Sequence, residues 1–336
     1  MILVTGGTGL VGAHLLYKLI SNNNSVRAIY RTKHKLENVK RVFSSYTETY
    51  QSLFNKIEWV KADILNIPDL DKALNNIDFV YHCAALVSFE PNRYQQLRRA
   101  NIDGTANVVN LCLTNHVKKI CYVSSIATLG KPLKNKSITE ETHWNPEDDN
   151  SVYAITKYGA EMEVWRGTQE GLDAVIVNPG VIIGGGIWSN GSGSIFKKVY
   201  NSITYYTSGT VGLVSVNDVV NIMLRILESD IKNEKYILVS ENWSYKTFLQ
   251  TTAKALNVKP PKKLATPLLL AFGWRLDWLK QKLTGKRRGL TKQLAASLST
   301  ETKYSNLKLT HALDYKFEPI ETVIIKTGNL YLKQVQ

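Results

Sequence analysis

Apolar and polar positions along this chain follow two alternating periods. Ile2, Leu3 and Val4 form a short continuous apolar run. After a cluster of glycines, Val11, Leu15 and Leu19 recur at helical spacing until the three asparagines at 22–24 close the segment. "SVRAIY" then reads as a strand, and the alternation continues through strand "IEWVKADI", a helix from Pro68, strand "DFVYHCAA" and a helix through "NVVNLCL". Strand "KICYVSS", a helix over 153–171 and strand "DAVIVNPG" complete the series. Several of these strands are apolar on both faces, which predicts a parallel sheet covered by helices on each side. The expected fold class is α/β, a doubly wound parallel sheet of Rossmann type.

The rhythm changes after Gly180. Residues 184–194, "GGGIWSNGSGS", read as a glycine- and serine-rich loop too flexible to be core. "SVNDVVNIMLRILES" reads as a helix and "KYILVS" as a strand that rejoins the sheet, while helices dominate from Trp243 onward. The expected division is a dinucleotide-binding domain over 1–182, completed by roughly 211–241, and a smaller, mostly helical substrate-binding domain from 183–210 and 242–336.

Chemistry enters with the first turn. Gly6, Gly7, Gly9 and Gly12 lie between a strand and a helix, where amide N–H groups free of Cβ crowding can face a pyrophosphate. The fingerprint fits either as Gly7, Gly9 and Gly12 or, with one more residue in the turn, as Gly6, Gly9 and Gly12. An NAD site places an acid about twenty residues further on to bond the ribose 2′-hydroxyl. Here the second strand ends in Tyr30 and Arg31, and no carboxylate follows before Glu37. Arg31 suits a 2′-phosphate, so NADP(H) is the expected cofactor and NAD the alternative.

Tyr153 and Lys157 stand at i and i+4 on one helix face, and Ser124 and Ser125 end the preceding strand at the carboxyl edge of the sheet. A phenol with a pKa of about 10 is a poor proton shuttle alone. Bringing it near neutrality takes about 4 kcal/mol of differential stabilisation, which a nearby ammonium and an oxidised nicotinamide ring can supply. A serine hydroxyl can hold the substrate oxygen meanwhile.

Composition narrows the class without naming a reaction. The chain has 336 residues, 44% hydrophobic and 21% charged, ordinary values for a globular enzyme. Cys83, Cys112 and Cys121 lie in apolar segments without metal-ligand spacing, so reduced buried thiols and no metal are expected. No secretory pattern or membrane-spanning run is present, and a cytoplasmic location is the expectation. The net charge of +14 owes much to "WRLDWLKQKLTGKRRGLTKQ". There the apolar residues 268–274 precede Arg275, Lys280, Lys282, Lys286, Arg287 and Arg288, a composition shared by interfacial helices. Because the cations follow the apolar run, the expectation is a helix beside the pocket, buried against the protein's own core and not a membrane anchor. No recognition motif accompanies the charge, so nucleic acid is not expected as a partner.

The segments "TGGTGLVG", "KADI", "HCAA", "NIDGTANVV", "VSSIATLG", "YAITK" and "NPGVIIG" together resemble the extended short-chain dehydrogenase/reductase superfamily, and most the dihydroflavonol-reductase and hydroxysteroid-dehydrogenase branch. The resemblance spans essentially the whole chain. It implies cofactor contacts from Gly6, Thr8, Gly9, Leu10, Val11, Gly12 and Arg31. By the same resemblance Asp63 and Ile64 flank the adenine, Ala84 and Ala85 the ribose and nicotinamide side, and Pro179 and Val181 the nicotinamide. Ser125 would be the catalytic serine, with Ser124 its alternate, beside Tyr153 and Lys157; Asn101 matches a residue of partly structural role. "LVSFEPNRY" departs from any pattern that singles out a substrate. The leading expectation is interconversion of a ketone and a secondary alcohol on a small or medium organic substrate. The alternative is a nucleoside-diphosphate-sugar epimerase or dehydratase, for which Lys197, Lys198 and Arg225 would supply a second anion site. A non-catalytic dinucleotide sensor ranks third, and the assembly stays open between monomer and homodimer.

Overall fold

Short apolar runs four to seven residues long, separated by helical stripes, leave the inner strands of the main sheet buried on both faces. The structure, a computed structural model, describes residues 1–132, 136–189, 191–285 and 288–335. Strands β1 (Ile2–Thr5), β2 (Val26–Tyr30), β3 (Glu58–Lys61), β4 (Phe79–His82), β5 (Lys119–Val123) and β6 (Asp173–Pro179) alternate with helices. After them come β7 (Val181–Ile183), β8 (Tyr205–Tyr206), β9 (Thr210–Ser215), β10 (Glu234–Leu238), β11 (Glu241–Ser244) and β12 (Lys263–Leu264). Seven of these form one sheet in the order β3-β2-β1-β4-β5-β6-β10, every pair parallel.

Successive residues feed opposite cores. Val4, Tyr81 and Cys121 pack on the face covered by helices Leu10–Ser21 and Val216–Glu228. Their neighbours Leu3, Val80 and Ile120 pack on the face of helices Gly104–Thr114 and Val152–Gln169. The direction of chain progression reverses between β1 and β4, opening the crevice at the carboxyl edge where such sheets hold ligands.

Beyond β6, strands β7 and β11 flank β9 in a separate three-stranded sheet. A third core gathers Ile183, Trp188, Phe196, Phe248, Ile324 and Tyr331 around it. Two expectations fail here. The 184–194 segment is not a flexible loop at its start, since Gly184, Gly185, Gly186, Ile187 and Trp188 are all buried. Its glycines allow close approach: a Cβ on Gly184 would lie 2.5 Å from Val216, one on Gly185 2.3 Å from Leu330, and Gly186 has φ +90° against Val42. The second failure is the helix Pro267–Thr284, which buries none of its residues. Leu268 and Phe272 are exposed instead of packed on the core. The predicted cations Lys286 and Arg287 lie outside the described residues. Among the described residues no helix is long and apolar enough to cross a membrane.

Candidate active site

The glycine turn closes over the carboxyl ends of β1 and β4. Gly6 adopts φ +69°, and a Cβ there would lie 2.5 Å from the Ala84 nitrogen. A Cβ on Gly12 would lie 2.3 Å from the Gly6 carbonyl oxygen, whereas Gly7 has an ordinary φ and would meet side chains, those of Leu16 at 2.9 Å and Ala28 at 3.5 Å. The geometry therefore selects Gly6, Gly9 and Gly12 from the two ways of reading the fingerprint. Gly9 donates its N–H to the Gly6 carbonyl at 2.9 Å and stands as N-cap of the helix Leu10–Ser21 without any side-chain cap. The N–H groups of Leu10, Val11 and Gly12 have no intrahelical acceptor, so this positive helix end is open to an anion. Thr8 is half-buried in the same turn.

At the end of β2, Arg31 is exposed and reaches Asp63 at 3.7 Å, an ion pair that solvent weakens. Asp63 also accepts the Leu65 N–H at 3.0 Å, which holds its carboxylate beside the turn after β3, and Ile64 next to it is buried against Gly104. Ala84 is half-buried and donates its N–H to the Thr5 hydroxyl at 3.3 Å, while Ala85 is exposed. Pro179 ends β6 buried, and Val181 opens β7 half-buried.

Ser125, Tyr153 and Lys157 converge at the carboxyl end of β5. Burial raises the pKa of the Tyr153 phenol, and the Ser125 hydroxyl beside it lowers it in part. Ser125 also accepts the Ala127 N–H at 3.1 Å, as N-cap of a short turn. Ser124 points elsewhere: it is buried and donates to Glu161 at 2.6 Å, which leaves Ser125 alone in the site. Lys157, 1% exposed, donates to the Tyr122 hydroxyl at 2.6 Å and to the Val123 carbonyl at 2.8 Å. Burial pushes its pKa down to about 7, against the pull of Glu161 one helical turn on and of Cys83. Among the described residues no hydrogen bond joins Lys157 to Tyr153.

Four residues beneath this trio went unread in the sequence. Burial raises the Tyr122 pKa, and the nearby Thr105 hydroxyl lowers it in part. Thr105 meets His82 Nε2 at 3.0 Å, and His82 Nδ1 meets the Thr5 hydroxyl at 2.6 Å. A run of buried polar groups thus extends from the Lys157 ammonium to the base of the glycine turn. Burial holds the His82 pKa down to about 3, with the Lys157 charge adding to the effect, so its imidazole is neutral. The signal available was the polar residues inside apolar strands, Thr5, His82 and Tyr122, which must find partners when buried.

A second cluster rigidifies the floor. The Glu161 carboxylate accepts from Ser124, from Thr128 at 2.8 Å and from the Asn178 amide at 3.0 Å, and lies 3.8 Å from Lys235. Asn101, in a π-type turn (Arg99–Asp103), clamps the Leu86 backbone from both sides, accepting its N–H at 2.7 Å and donating to its carbonyl at 3.0 Å. Phe89, from the segment that suggested no substrate, sets its ring edge-on to Tyr153 at 5.4 Å. Lys197 and Lys198 are exposed. Arg225 covers the Tyr315 ring at 5.2 Å and lines a cleft with Asn22, at the amino edge of the sheet and away from the trio.

A family model, the NAD dependent epimerase/dehydratase family, matches residues 2–238. A protein of Synechocystis sp. that carries the provisional name dihydroflavonol 4-reductase is 28% identical over 278 residues, covering 81% of this chain and 77% of that protein. UDP-glucose 4-epimerase of Vibrio cholerae is 26% identical over 284 residues, covering 80% of this chain and 79% of its own. Among solved structures, gox2253 shares the fold at a TM-score of 0.81 over 99% of this chain and 98% of its own, with 24% identity. The chain belongs to the NAD dependent epimerase/dehydratase family and is an NAD(P)-dependent enzyme of the extended short-chain dehydrogenase/reductase type.

Proposed function

We propose that this enzyme is an NADP(H)-dependent oxidoreductase that interconverts a ketone and a secondary alcohol on a small or medium organic substrate. The Ser125 hydroxyl facing the Tyr153 phenol, on the same carboxyl edge as the uncapped helix end at the glycine turn, is the observation that carries this reading. A dinucleotide fits the turn: Gly6 and Gly12 let the backbone fold back so tightly that a Cβ at either would strike main chain, and the N–H groups of residues 10–12 await an anion. Gly6, Thr8, Gly9, Leu10, Val11 and Gly12 would hold its pyrophosphate and Arg31 a 2′-phosphate. Asp63 and Ile64 would border the adenine, and Ala84, Ala85, Pro179 and Val181 the nicotinamide side. Bound there, the cofactor supplies or accepts the hydride.

The chain's own groups manage the proton. A substrate oxygen entering between the Ser125 hydroxyl and the Tyr153 phenol would accept a hydrogen bond from each. Tyr153 would give its proton as a carbonyl becomes an alcohol, or take one in the reverse direction. Ser125 would steady the oxygen while its charge changes. Lys157 uses two of its three N–H donors on Tyr122 and Val123 and keeps one for a ribose hydroxyl. Its positive charge, in a buried site, favours the phenolate. Residues 1–182 with roughly 211–241 would form the cofactor side, and 183–210 with 242–336 the substrate side. The epimerase alternative needs an anion site near the trio, and its candidates are either solvated (Lys197, Lys198) or at the far edge (Arg225).

The test is NADPH oxidation over a panel of ketones, with Tyr153→Phe beside the wild type. The variant should lose about 10²–10⁴-fold in turnover while binding NADPH nearly as well. Retention of more than roughly a tenth of turnover would overturn the assignment. A dinucleotide retained at near-full occupancy by the purified protein, with no ketone turned over, would favour the epimerase.

A further inference from the structure

The helix Pro267–Thr284 is amphipathic in the wrong sense for a soluble surface. At 3.6 residues per turn, Leu268, Leu269, Phe272, Leu276, Leu279 and Leu283 fall within an arc of about 100°, a stripe about 22 Å long. Leu268 is 84% exposed, Phe272 64% and Leu283 77%. The opposite, half-buried face holds the helix to the protein. Asp277 accepts the N–H groups of Gly289 at 2.7 Å and Leu290 at 2.8 Å, and Gln281 donates to Glu90 at 3.5 Å. Asp277 and Gln281 thus face inward beside the half-buried Leu270 and Trp274, and the six stripe residues face outward. Burying such a stripe in an apolar phase is favourable, and the protein itself does not bury it.

We propose that this helix docks the enzyme on an anionic phospholipid surface, lying in the plane of the headgroups. The charges specify the occupant. On the helical wheel Arg275 and Lys282 border one side of the stripe and Lys280 the other, where they would meet lipid phosphates as the leucines enter the acyl boundary. Arg275 and Lys282 rest over the rings of Trp274 and Trp278 at 4.5 and 4.4 Å, pairs suited to the depth where apolar and polar layers meet. The single carboxylate of the helix, Asp277, is occupied on the protein side. A second copy packed stripe to stripe would bring two sets of cations together, which disfavours a dimer seam. The helix does not qualify as a membrane span. The surface also adjoins the site, because Glu90, its partner, follows Phe89, whose ring meets Tyr153.

The experiment is co-sedimentation of the full chain with vesicles of phosphatidylcholine alone or mixed with phosphatidylglycerol at roughly three to one, in low and moderate salt. Binding to the anionic vesicles should survive moderate salt. The variant Leu268→Ser/Phe272→Ser/Leu283→Ser, with unchanged circular dichroism and melting temperature, should lose about tenfold or more of that binding. Arg275→Glu/Lys282→Glu should weaken binding to anionic vesicles and leave the fold intact. Absence of binding, or binding that salt abolishes equally in wild type and serine variant, would overturn the proposal. So would a serine variant that changes sedimentation mass but not vesicle binding, since the stripe would then be a contact between copies.

Discussion

Lys157 carries a measurable penalty in the folded state, and its size follows from its burial. The ammonium is 1% exposed, and its pKa falls from 10.5 to about 7 because burial disfavours the charge more than Glu161 and Cys83 restore it. Between those values the unfolded chain binds a proton that the folded chain has released, so stability rises with pH. It is lost again as pH falls through about 7, where the folded protein must take up the charge. The full gap corresponds to about 5 kcal/mol, and the portion between pH 7 and about 8.5 to about 2 kcal/mol. Above that window the raised thiol and phenol pKa values, such as Cys83 at about 12, begin to act with the opposite sign. The perturbation is Lys157→Met, which fits the buried space without a charge. Removing the donor orphans the Val123 carbonyl and one lone pair of Tyr122, an offset independent of pH in this range. Urea midpoints at several pH values give each protein's slope, and the difference between slopes isolates the ammonium. Wild type should gain about 2 kcal/mol on the variant from pH 7 to about 8.5. Parallel pH profiles for the two proteins would refute the buried-cation account.

Two further outcomes concern the cofactor cradle. Fluorescence titration should show NADPH bound roughly tenfold or more tightly than NADH, with Arg31→Ala erasing most of the difference; equal affinities in the wild type would refute the 2′-phosphate reading. Gly6→Ala should lower stability by about 2–4 kcal/mol, from the positive φ and the approach to Ala84, and should impair dinucleotide binding; an unchanged melting temperature would contradict the turn geometry.

The central sheet was legible because its strands repeat one local rule seven times. An apolar run, a glycine or asparagine break and a 3.6-residue stripe need no distant information, and crossover handedness then fixes which face of the sheet each helix covers. The trio was legible for a similar reason: Tyr153 and Lys157 are one helical turn apart, and Ser125 ends a strand. The chain of Thr5, His82, Thr105 and Tyr122 was not, because its members come from four elements and meet only after the sheet is assembled. Each alone is a polar residue in an apolar segment, which signals a partner without saying which. Choosing Gly6 over Gly7 required the backbone, since the difference is a φ of +69° and a contact with Ala84.

The two misreadings share a physical cause. Composition describes what a segment could do in isolation, whereas burial depends on what the rest of the chain presents to it. Residues 184–188 hold three glycines, which suggests mobility, yet Val216, Leu330 and Val42 approach so closely that only glycine fits, and His14 meets the Gly185 carbonyl at 3.1 Å. That imidazole, its pKa lowered to about 4 by burial, ties the glycine run to the helix after the first glycine turn. The helix Pro267–Thr284 inverts the error. In linear order its cations follow its apolar residues, but on the helical wheel Arg275, Lys280 and Lys282 border a leucine stripe that continues to Leu283. Periodicity identifies an amphipathic helix and does not say which face meets the protein. Here two side chains decide it: Asp277 and Gln281 find their partners inward, which commits the leucines to whatever lies outside.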